Sequence, residues 1–86
     1  MTEAVIVIRM TYKTLSHRIE FLRRERHLNQ AEFGRLLGIT QATASRKLNG
    51  QIPFSTDEVL RCAIVFGVST EALYGREDLE DLKQPV

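Results

Sequence analysis

Between residues 14 and 75, apolar positions recur three and four apart in short blocks, each fenced by a capping residue and a glycine or asparagine. That spacing is helical. Thr14 stands before Leu15, Ile19 and Leu22, so a first helix is predicted from that cap to near Arg26, with Arg23, Arg24 and Arg26 opposing the dipole at its end. Asn29 caps a second helix running through Leu37, with Phe33, Leu36 and Leu37 inward and Gly38 stopping it. Thr40 caps a third, which continues to about Leu48 and stops at Asn49-Gly50. After a loop containing Pro53, the Ser55/Glu58 pair reads as a capping box for a fourth helix, Thr56 to Phe66, stopped by Gly67. Ser69 caps a short fifth helix, Thr70 to Tyr74, before Gly75.

One segment breaks the period. Ala4-Val5-Ile6-Val7-Ile8 is rich in β-branched residues and bounded by polar ones, which predicts a short strand. The expected fold is therefore all-α, five helices with a short N-terminal β-strand extension. Residues 1–13 form the extension, 14–75 the helical domain and 76–86 an acidic C-terminal tail.

Composition and charge change this picture in two places. The 86-residue chain has room for one domain, and its single cysteine, Cys62, excludes an internal disulfide or a cysteine-based zinc cluster. Cys62 reads as a small core residue. The longest apolar run is too short for a membrane span or secretory signal, so a cytoplasmic location is expected. The formal net charge is only +1, but it is unevenly placed. Arg9 to Arg61 holds ten Lys or Arg against five Asp or Glu, whereas Glu71 to Val86 holds five acids against two bases. A basic body suits a polyanionic partner if the acidic tail stays clear of it.

The second and third helices are joined by only Gly38-Ile39-Thr40. Helices this close must cross steeply, and the contact admits only small residues. Gly34 supplies a bare patch, Ala44 a small knob, and Gly38 the left-handed turn that a side chain resists. Phe33, Leu37 and Ile39 fill the inner faces. The outward positions of the third helix, Gln41, Ala42, Thr43, Ser45, Arg46 and Lys47, are polar, small or basic, and none is acidic. Such spacing matches a helix-turn-helix, which aims the start of its second helix at base edges.

Leu28-Asn29-Gln30-Ala31-Glu32-Phe33, Leu37-Gly38-Ile39-Thr40-Gln41-Ala42-Thr43, Ser45-Arg46, Asn49-Gly50 and Phe66-Gly67-Val68-Ser69 stand at fixed mutual distances. With them, Leu15 to Gly75 resembles the Cro/repressor-type helix-turn-helix family of phage and bacterial regulators. The resemblance implies a lambda-repressor-like domain and a double-stranded DNA operator as partner. It implies base contacts from Gln41, Ala42, Thr43 and Arg46. Gln41 suits adenine, Arg46 suits guanine, and the methyls of Ala42 and Thr43 suit a thymine methyl. It implies phosphate contacts from Gln30, Thr40, Ser45, Lys47, Asn49 and Arg23, with Gln30 also in a position to brace Gln41. Each has a plainer reading: Thr40 as a cap, Gln30 as a first-turn polar residue, Asn49 as a helix terminator, Arg46 as a solvated charge. His17 and His27 have no partner spacing and read as surface residues.

Departures from the family pattern are informative. Lys47 occupies a place usually apolar, so Leu48 is expected to seal the third helix while Lys47 lies on the DNA backbone. Many relatives carry an acid at the position of Leu48, paired with an arginine at that of Arg23. Here Arg23 is left for phosphate or for Glu20. His27 replaces a common glycine, which predicts left-handed strain. The apolar strand needs cover, as do Phe21, Ile64 and Val65. A homodimer is expected in which Val5, Ile6, Val7 and Ile8 pair with their copies and pack on these residues, giving a near-palindromic site. The alternative is that the strand folds onto its own domain.

The functional expectation is a sequence-specific transcriptional regulator, a repressor acting by operator occupancy. The alternative is an antitoxin-like interaction module that also autoregulates its promoter. No cofactor, metal or small-molecule ligand is expected. With no paired-carboxylate cleft, metal-ligand cluster, phosphate-cradling loop or based nucleophile, the chain does not read as an enzyme.

Overall fold

The computed structural model describes residues 2–75, with side chains from Thr14 onward. Five helices follow one another: α1 Thr2–Glu25, α2 Gln30–Leu37, α3 Gln41–Leu48, α4 Thr56–Phe66 and α5 Thr70–Tyr74. Each start from α2 onward is set by a side chain that satisfies a free amide. Asn29 and Glu32 close a reciprocal capping box on α2, and Ser55 and Glu58 close another on α4. The Thr40 and Ser69 hydroxyls accept from the Thr43 and Ala72 amides at the heads of α3 and α5.

Two expectations fail at the N-terminal end. Thr14 does not cap α1 but lies inside it, and Val5–Ile8 is helical where a strand was expected. The physical reason is backbone satisfaction. A lone strand leaves its amides and carbonyls unpaired, whereas extending α1 pairs them within the segment. β-propensity is a weak guide without a neighbouring strand. The side chains of Val5, Ile6, Val7 and Ile8, and all of residues 76–86, lie outside the described residues.

His27 does adopt the left-handed conformation, with φ 58°. Its N–H donates to the Arg24 carbonyl and the Leu28 N–H to that of Arg23, so the strained residue closes α1.

The core is one cluster fed by all five helices. It contains Leu15 and Ile19 of α1, Phe33 and Leu37 of α2, Ala44 and Leu48 of α3, Val59, Cys62, Ala63 and Phe66 of α4, Leu73 of α5, and Phe54 of the α3–α4 loop. Phe33 stacks on Phe66 with centroids 6.2 Å apart and meets Phe54 edge-on at 6.3 Å. Each such fully buried side chain contributes about 1.5–3 kcal/mol. Cys62 is buried and free, as a core residue. Phe21 and Ile64 stay 58% and 72% exposed, and Val65 is also exposed. Among the described residues, no helix is long and apolar enough to cross a membrane and no cluster could hold a metal ion.

Candidate nucleic-acid interface

The α2–turn–α3 unit is held by backbone contacts that leave no room for a side chain. A Cβ on Gly34 would lie 2.9 Å from the Ile39 carbonyl oxygen and 3.3 Å from that of Thr40. The bare patch of α2 thus faces the turn itself rather than the Ala44 methyl. Gly38 is left-handed at φ 74°, and the Ile39 N–H returns to the Gly34 carbonyl at 2.9 Å. Beyond the turn, Ala44 and Leu48 are both buried, so α3 is seated by its middle and its end. Leu48 performs the sealing role expected of it.

Seating that face turns the other one outward. Gln41, Ala42 and Arg46 are exposed, while Thr43, Ser45 and Lys47 are half-buried. The side chains of Arg46 and Gln41 make no hydrogen bond or ion pair among the described residues. Gln30 stands half-buried at the first position of α2, and no hydrogen bond joins it to Gln41. The Thr40 and Thr43 hydroxyls lie 3.0 Å apart, the pair sitting over the first turn of α3. Asn49 is the exposed C-cap of α3. A helix start free of acids favours an anion.

Two cations assigned to phosphate have partners within the chain. Arg23 clasps Glu20 with two 2.8 Å contacts and donates to the Leu28 carbonyl. This is the Glu20 option left open by the loss of the family's acid at position 48. Hydrogen bonding to Glu20 raises the Arg23 pKa, against the opposing effect of burial. Lys47 is folded back to Glu58, at 2.7 Å, and to the Pro53 carbonyl, at 3.0 Å, instead of standing out toward DNA. Burial alone would raise the Glu58 carboxyl. The Lys47 ammonium and the Ser55 amide outweigh it and hold the carboxyl below its usual value.

The Lys47–Glu58 pair is the element sequence reasoning missed. Its signal was register: position 47 is three residues after Ala44 and one before Leu48, so its Cβ borders the buried face. A cation there needs an acid, and Glu58 was already placed at the head of the next helix.

Residues 19–73, more than half of the chain, match the helix-turn-helix family model. The chain belongs to the Cro/repressor-type helix-turn-helix family. No curated protein and no solved structure matches it. Membership in this family makes the chain a DNA-binding transcription regulator in the general sense. The matched residues contain all of α2, α3 and α4.

Proposed function

We propose that the protein is a sequence-specific repressor that occupies its operator with α3 in the major groove. One observation carries the reading: the side chains of Gln41 and Arg46 stand on the exposed face of α3 with no partner among the described residues. Gln41 pairs with adenine, Arg46 with guanine, and Ala42 and Thr43 offer methyls to thymine. Gln30, Thr40, Ser45 and Asn49 hold phosphates around the groove. Arg23 and Lys47 are left out of that set because Glu20 and Glu58 already neutralise them.

The protein acts as a homodimer on a near-palindromic site. The exposure of Phe21 and Ile64 supports this, since apolar side chains left in water favour a partner surface. Selection of bound sites from a random duplex pool tests the whole reading. The expected product is a pair of inverted half-sites about 10 bp apart, centre to centre. An enriched pool without shared sequence contradicts it. Light scattering on Phe21→Glu and Ile64→Glu tests the dimer, with a monomeric mass expected for the variants and a dimeric one for the wild type. A monomeric wild type at high concentration contradicts it.

A further inference from the structure

A single carboxylate oxygen joins the end of α3, the following loop and the start of α4. Glu58 Oε1 accepts from Lys47 Nζ at 2.7 Å and from the Ser55 N–H at 2.8 Å. Lys47 Nζ also donates to the Pro53 carbonyl and lies 5.9 Å from the Phe54 ring centre. The two charged side chains are only 11% and 13% exposed. The loop is tied back as well. The Gly50 N–H donates to the Lys47 carbonyl at 3.1 Å, and the Gln51 N–H to the Arg46 carbonyl at 2.8 Å.

This node bears on the orientation of α3. Eight residues do not make a helix that holds its own orientation. Its apolar seat consists of one methyl, Ala44, and one larger side chain, Leu48. Such a seat restrains the helix against lifting more than against rolling about its axis. Lys47 anchors the edge of the seat to a fixed point on α4. Arg46, its neighbour in the chain, stands exposed beyond it. A readout side chain works only when held within about 0.5 Å and 10–20° of its geometry.

We propose that Lys47 and Glu58 are positioning residues for sequence readout. Their ion pair sets the roll of α3, and with it the point at which Arg46 meets the bases. Lys47 is not a phosphate ligand. Moving it to DNA would leave the Glu58 carboxylate part-buried without its cation, beside an approaching polyanion. The inference rests on the DNA-binding reading, and its test separates the two.

The full chain is compared with Lys47→Met, Glu58→Gln and the double variant. Methionine keeps the stem's apolar packing, and glutamine keeps the cap acceptor. Each protein is titrated with the selected operator and with a scrambled duplex of equal length, over a salt series. Each single variant is expected to lose about tenfold in operator preference, within what one base contact supplies. Scrambled-duplex affinity and the salt slope stay at wild-type values, and the double variant is no worse than either single. In the DNA-free protein, the Gly50 and Gln51 amides exchange faster in both single variants. A salt slope lowered by about 0.9 in Lys47→Met would make Lys47 a phosphate ligand and overturn the proposal. So would unchanged operator preference in both single variants. A wild type with no operator preference removes the sequence-specific reading itself, and the positioning role with it.

Discussion

Gly34 and Ile39 touch backbone to backbone: the Ile39 N–H donates to the Gly34 carbonyl at 2.9 Å, and a Cβ on Gly34 would meet the Ile39 oxygen at the same distance. The crossing of α2 and α3 is therefore set by the absence of a side chain at one position.

Gly34→Ala should destabilise the fold although it adds a better helix former. The propensity gain is about 1 kcal/mol, while forcing a methyl against rigid backbone costs about 1–3 kcal/mol. The turn cannot yield as a flexible side chain would. Urea unfolding is expected to show a lower midpoint with an unchanged slope. A midpoint at or above wild type would mean that the turn relaxes freely.

Acid should weaken the protein through two carboxylates. The Glu20 carboxyl is held below its ordinary 4.5 first by its hydrogen bond to Arg23, with burial opposing and Arg24 assisting. That of Glu58 is also lowered, because Lys47 and Ser55 overcome burial. Each is more acidic folded than unfolded, so its stabilisation is complete above the unfolded value and is lost as pH falls through the folded one. The urea midpoint should decline from about pH 5 downward, and Glu58→Gln should flatten part of that limb. Parallel profiles for wild type and Glu58→Gln would contradict this.

Cys62 should be chemically silent in the native state. Burial, and secondarily the charge of Glu58, pushes its thiol up to about 12. A thiol-specific disulfide reagent near neutral pH should label it only as fast as the chain opens, at least about 100-fold slower than in denaturant. The sign for stability follows. With the unfolded thiol near 9.0, the buried thiol's contribution is full below that value and is lost as pH rises toward the folded one. Rapid native labelling would contradict the burial.

Helix boundaries from Asn29 onward were legible because local chemistry fixes them. Asn29, Thr40, Ser55 and Ser69 each cap where a short polar side chain precedes an apolar period, and Gly38, Gly67 and Gly75 each end a helix in the left-handed region. The same local reading misled at Thr14 and Val5–Ile8. There a good capping residue lies inside a helix, and the β-branched run has no strand to pair with among the described residues. The exposed face of α3 was legible from its polarity. The fate of Lys47 was not, because it depends on an acid whose distance is set by packing. Glu20 lies three residues from Arg23, but Glu58 lies eleven from Lys47 across a loop.

The account turns on whether the exposed face of α3 reads bases. The most direct measurement is the affinity of Arg46→Ala for the selected operator and for operators changed at one base pair. The expected loss at the parent site is about 1–3 kcal/mol, with the preference at one base pair relaxed and the others intact. An affinity equal to wild type, or an equal loss on every duplex including scrambled DNA, would contradict base readout by α3.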